Sequence, residues 1–159
     1  MLKPAILYEN QIIDYFNEYL YTDEFYYYSG WLGCNEIPDL EPTDGHYQYA
    51  IVDEYDDVIG YFAYRINYTT RSVYNFGLFS FDKGNPIIGF DVFRKLGELV
   101  NNFHKLEWRM IEGNPVKRHY DKFCKRYNGT IHHLRDTSID KNGNYNGEYI
   151  YEIIEDDWR

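Results

Sequence analysis

Cysteine is nearly absent from this chain. Cys34 and Cys124 are the two in 159 residues, with no CxxC spacing, which excludes a disulfide framework and a cysteine-rich zinc module and points to two free thiols in a reducing compartment. Proline is also scarce, at five residues, and no Pro/Gly/Ser-rich stretch reads as a linker. One domain over residues 1–159 is therefore expected. No run approaches the roughly 18 to 20 apolar residues that a bilayer span needs. The start, MLKPAILYENQIIDYF, lacks the apolar core of a signal peptide, so the expectation is a cytoplasmic protein without a membrane partner. Positive charge is short too: 16 Lys and Arg face 26 Asp and Glu, a formal net charge of -10. That balance disfavours nucleic-acid binding by counterion release and favours a neutral or cationic acceptor near the surface. What the chain does have is apolar and aromatic material, 44% and 20% of its residues, enough for a real core.

Lys3 to Tyr8 reads as a short strand, and Ile12, Ile13, Phe16 and Leu20 fall at helical spacing after it. Thr22 to Gly45 is irregular and rich in Tyr, Gly, Pro, Asn and Asp, a long loop or broken helix of the kind that lines sites. His46 to Glu54, Val58 to Tyr68 and Ser72 to Asp82 are rich in β-branched and aromatic residues and read as an antiparallel meander. A helix, a strand (Lys105 to Ile111), a second helix and two strands joined by DKNGN follow. A strand, a crossover helix and a strand make parallel neighbours. The fold class is α+β: a mixed, mostly antiparallel sheet of about six or seven strands flanked by helices, with a parallel pair at its centre.

The triplet GNP occurs twice, at Gly84 to Pro86 and Gly113 to Pro115. Asn is a strong N-cap and Pro is tolerated at the first helical position, so each triplet reads as a helix start. Gly89, Phe93, Leu96, Val100 and Phe103 then recur on one face, as do Val116, Tyr120, Phe123 and Tyr127, with Asn128 and Gly129 as a left-handed stop. Two helices that follow parallel strands place both N-termini at one sheet end, an electropositive place for an anion. The alternative for such starts is that they bind water.

The element order, and the segment Val73 to Ile154 in particular, resembles the GNAT superfamily of acetyl-CoA-dependent N-acetyltransferases. The resemblance is carried by VYNFGLFSFD, KGNPIIGF, NPVKRHYDKFCKRYNGT and the tail TSIDKNGNYNGEYIYEII. It implies that the first of these strands parts from LEWRMI to admit the pantetheine arm of acetyl-CoA. It also implies that backbone groups of Phe79, Ser80 and Phe81, at an irregularity in that strand, hold the arm and acetyl group. The pyrophosphate would lie at Gly84, Asn85, Ile87, Ile88 and Gly89, with Asn114 beside it, and Tyr120 would protonate the departing thiolate. The family's loop carries Gln or Arg, then Gly, then Gly or Ala; those places fall on Asn85, Ile88 and Phe90. The stretch from Asn114 to Tyr120 is one residue shorter than usual.

The resemblance thus implies acetyl transfer to a primary amine of a small molecule, peptide or protein, weakly favoured to be cationic, with no metal. Its alternative is a GNAT-fold binding or regulatory protein that has lost cofactor binding, and a third reading uses a longer acyl-CoA. Tyr120 also lies on the apolar stripe of its helix, so a core tyrosine is an equal reading. For a general base Glu36, Asp39, Glu41 and His46 stand open. Lys117, Arg118, Lys122, Lys125 and Arg126 give the second helix a basic face, either solvated or drawing phosphates. DKNGNYNGEYIY lacks the Gly and Glu of a calcium loop and reads as a hairpin turn. His132 and His133 point to opposite strand faces and cannot share a metal without a bulge. The exposed edge of the last hairpin offers a homodimer contact.

Overall fold

A computed structural model describes residues 1–20, 22, 26 and 37–159; Cys34, Glu36 and most of the Thr22 to Gly45 stretch lie outside them. The elements are β1 (Leu2–Pro4), α1 (Glu9–Tyr19), β2 (His46–Val52), β3 (Val58–Asn67), β4 (Ser72–Ser80), α2 (Pro86–Asn102), β5 (Lys105–Ile111), α3 (Lys117–Arg126), β6 (Thr130–Ile139) and β7 (Tyr145–Ile154). The expected strand from Lys3 to Tyr8 is shorter than read: pairing with β2 stops at Pro4, and Ala5–Tyr8 coils into a 3-10 turn that buries Ala5 against the α1 side of the sheet.

The seven strands run in the order β1-β2-β3-β4-β5-β7-β6, antiparallel throughout except for β4 and β5. This is the mixed sheet with a central parallel pair that the residue pattern predicts. One face carries α2 and α3 over a core of Phe62, Tyr64, Phe76, Leu96, Trp108 and Tyr151. The other face packs α1, through Ile12 and Phe16, on Tyr61, Ala63 and Phe79. Aromatic rings dominate the first core: Trp108 stacks on Tyr151 at 4.9 Å between centroids, and Phe76 meets Trp108 at 5.5 Å.

Two features of β4 position the site. Its parallel pairing with β5 spans Ser72↔Lys105 and Val73↔Leu106, after which the strands diverge. At that point its register against β3 slips: Ala63 faces Gly77 and Arg65 faces Tyr74, so β4 carries one extra residue. Asn75 sits there in the left-handed region at φ 49°, a conformation Asn adopts more readily than most residues. This β-bulge bends β4 away from β5 and opens the split.

Candidate active site

The bulge decides which groups of β4 reach the split. Phe81 donates its N–H to the Ile59 carbonyl of β3 at 2.9 Å. Backbone direction alternates along a strand, so Phe79 also faces β3, whereas the N–H and C=O of Leu78 and Ser80 face the gap. Of the three consecutive residues expected to hold the arm, only Ser80 therefore turns its backbone that way. Phe79 is buried against α1, and Phe81 stacks on Tyr15 at 4.5 Å. The irregularity itself lies at Asn75, not at Phe79 to Phe81. On the facing strand Glu112 donates its N–H to Gly147 of the β7 side and Lys105 donates to Arg71 of the β4 side. By the same alternation Arg109 and Ile111 present backbone groups to the split. Leu78 was missed in the sequence because an unseen bulge shifts the parity of β4, and Arg109 and Ile111 because which side of β5 meets β4 and which meets β7 is set by pairing between distant segments.

Tyr120 closes the narrow end. It is buried, its ring 5.6 Å from Phe76 of β4 and 5.9 Å from Trp108 of β5, both edge-on. It thus lies on the α2/α3 face across both diverging strands, just past their last paired residues. Tyr151, 5.8 Å from it, donates its hydroxyl to Asp121 at 2.8 Å. Burial pushes the Asp121 carboxyl up, but hydrogen bonds from Lys117 and Tyr151 outweigh it and hold the group below its usual range. The indole N–H of Trp108, buried at 1% exposure, has no acceptor among the described residues.

At the wide end, Asn85 caps α2 by accepting from the Ile87 N–H at 3.0 Å. Of the four donors a helix start leaves free, Pro86 has none and the Asn85 N–H bonds the Asp82 carbonyl at 3.3 Å, so the Ile88 N–H remains for an anion. The Asp82 carboxylate accepts from the Asn85 side chain at 2.8 Å and sets a negative charge at that terminus. Gly84, at φ 79°, and Gly89 have nothing within 4 Å of the place a Cβ would take, so a ligand can approach both. The Ile88 side chain is buried in the core, while Phe90 points outward at 70% exposure and does not fill the split. After the second triplet the helix starts two residues later than expected. Asn114 accepts from Val116 at 3.0 Å, but the helix proper starts at Lys117. The basic side chains Lys117, Arg118, Lys122 and Lys125 line an open depression of about 650 Å³ with Pro115 and Asp121.

The candidate bases do not gather at the split. His46 pairs with Arg65 at the end of the sheet where β4 and β5 are still joined, and Asp39 and Glu41 lie near β2; Glu36 is outside the described residues. A half-buried carboxylate beside the end of β5 is Glu148 on β7, opposite Ile111. It lies on the sheet face away from α2 and α3, with Arg109 at 3.6 Å. Burial pushes its carboxyl up and Arg109 offsets this only in part. Burial also pushes the Cys124 thiol up to about 11, which unsuits it as a nucleophile. His133 pairs with Glu112 at 3.3 Å and His132 approaches Glu152 at 4.0 Å, on opposite faces of β6. Among the described residues no group of three potential ligands could hold a metal, and no helix is long and apolar enough to cross a membrane.

The fold has counterparts among solved structures. A probable acetyltransferase of the GNAT family from Chromobacterium violaceum superposes over 99% of this chain and 87% of its own, with a TM-score of 0.67 at 14% identity. The chain has the GNAT fold. A spermidine/spermine N-acetyltransferase from Vibrio cholerae, solved with manganese ions, matches over 70% of this chain and 66% of its own at 21% identity and a TM-score of 0.57. A chimera of the Vibrio cholerae spermidine N-acetyltransferase matches over 72% and 69% at 20% identity and 0.56. No protein-family model matches the chain, and no curated protein sequence does.

Proposed function

We propose that the protein is an N-acetyltransferase that moves the acetyl group of acetyl-CoA to a primary amine by direct attack. The carrying observation is the β4–β5 split with Tyr120 bridging Phe76 and Val73's strand to Trp108 across it. Backbone groups of Leu78, Ser80, Arg109 and Ile111 offer the extended arm the pairing that the strands withhold from each other. Gly84, Asn85, Ile87, Ile88, Gly89 and Asn114 form the approach for the phosphates, with the basic face of α3 alongside. The fit is good in the split and opposed at the helix start by Asp82.

The chemistry then asks little of the chain. The carboxylate of Glu148 takes a proton from the acceptor ammonium, and the freed lone pair forms the N–C bond. The C–S bond breaks, and the hydroxyl of Tyr120, a phenolic donor, protonates the departing thiolate and is restored by the second amine proton. The acidic surface supports a cationic acceptor, and the spermidine enzymes among the structural neighbours support a small polyamine as one such molecule. A homodimer through the outer edge of β6, which no strand among the described residues pairs with and where Leu134 and Ile139 are exposed, is part of this reading and is measured by sedimentation.

Thermal unfolding with acetyl-CoA tests the donor: a ligand at 100 times its dissociation constant adds about 2.7 kcal/mol. Tyr120→Phe is expected to keep that shift and to lower kcat about 10²-fold. No shift at millimolar acetyl-CoA overturns the reading in favour of the second one, a GNAT-fold binding module without cofactor, which the Asp82 carboxylate at the α2 start supports.

A further inference from the structure

Trp108 lies two residues beyond Leu106, the last residue of β5 paired with β4. Its ring is enclosed by aromatic neighbours: Tyr151 stacked at 4.9 Å, Phe76 across the split at 5.5 Å, Tyr120 at 5.9 Å and Phe123 at 6.0 Å. The Tyr151 hydroxyl, the polar atom of the stacked ring, is directed to Asp121. The Nε1–H of Trp108 is buried and bonds nothing among the described residues. Buried polar groups almost always have a partner, so an orphan on a strand that flanks the split calls for one. The indole N–H of Trp158 also lacks an acceptor, but that ring packs on Tyr127 and Arg159 beyond the C-terminal end of α3, away from the split.

We propose that the Nε1–H of Trp108 donates a hydrogen bond to a carbonyl oxygen of the acyl-thioester arm once that arm occupies the throat of the split. An indole is a donor only. The arm carries amide carbonyls and, at its end, the thioester carbonyl, whose polarisation by a preformed donor lowers the barrier to attack. The assignment rests on the acetyl-CoA reading and adds to it a positioning residue on the opposite strand from Leu78 and Ser80. The other accommodation of such an N–H is to aim it at an aromatic face, in which case a ligand leaves it undisturbed.

The test is the indole N–H resonance of Trp108 in 15N-labelled protein, where only three tryptophans give such signals. It is assigned by Trp108→Phe and, should that variant fold poorly, by Trp158→Phe and Trp31→Phe. A downfield shift with acetyl-CoA but not with CoA identifies the thioester carbonyl, and a shift with both identifies an amide carbonyl; either supports the proposal. Trp108→Phe is expected to weaken acetyl-CoA binding about 3- to 10-fold, the worth of one hydrogen bond. An acetyl-CoA-dependent rise in melting temperature with an unmoved Trp108 signal overturns the role of Trp108 and leaves the donor reading in place. No rise in melting temperature overturns both.

Discussion

Glu148 shows how a single position acquires chemistry from its neighbours. It sits in a row across the sheet between Ile111 and Leu134, with a half-exposed Arg109 as its charged companion at 3.6 Å. Burial raises its carboxyl pKa, so the native state binds its proton more tightly than the unfolded chain does. Such a group costs stability above its unfolded value, about 4.3, and the cost disappears once pH falls below that value. Glu148→Gln is therefore expected to raise the melting temperature at pH 7 and to leave it unchanged near pH 3.5, while reducing amine acetylation at neutral pH. An equal or lower melting temperature at pH 7 would remove the strained-carboxylate account of this residue. Asp121 has the opposite sign, since donors from Lys117 and Tyr151 hold it ionised.

At the scale of the element, the start of α2 carries two opposed signals. The helix dipole and the open Gly84 and Gly89 invite an anion. Asp82, bonded to the capping Asn85, already supplies negative charge there. Asp82→Asn keeps a hydrogen-bonding side chain and removes the charge, and it is expected to tighten acetyl-CoA binding about 2- to 5-fold, read by calorimetry. Unchanged affinity would place the phosphates elsewhere. The far end of α3 has no such freedom. A Cβ at Gly129 would lie 2.6 Å from both the Cys124 sulfur and the Glu152 carbonyl, so glycine there serves close packing of helix on sheet, while Asn128 at φ 51° supplies the left-handed stop.

Over the whole molecule, the net charge of -10 repels a polyanionic donor and attracts a cationic acceptor. Four cationic side chains on α3 oppose that field locally. The Debye length is about 10 Å at 0.1 M salt, so nearby charges outweigh the distant total. Acetyl-CoA affinity is expected to weaken as salt rises from 50 to 500 mM, measured by titration calorimetry. Strengthening with salt would mean that the global charge governs and that the basic face plays no part in donor binding.

How much of this was legible depended on the range of the interaction. Local chemistry was readable: Asn85 and Asn114 accept the bonds that Asn-Pro predicts, Asn128 ends its helix, and the alternating strands assemble into the expected mixed sheet with its parallel pair. Tyr120 was visible on an apolar stripe, although only packing put it over two diverging strands. Long-range register was not readable. One extra residue at Asn75 puts both Val73 and Phe76 on the α2/α3 face and turns Ser80, not Phe79 or Phe81, toward the split. His46 was a reasonable base by type but starts a strand at the wrong end of the sheet, whereas Glu148 and Trp108 looked like ordinary members of amphipathic strands. The sequence by itself determined the caps, the periodicities and the order of elements, because these rest on contacts within a few residues. The tertiary structure alone decided the face each strand residue takes and the groups that meet at the split, because both follow from pairing between segments distant in the chain.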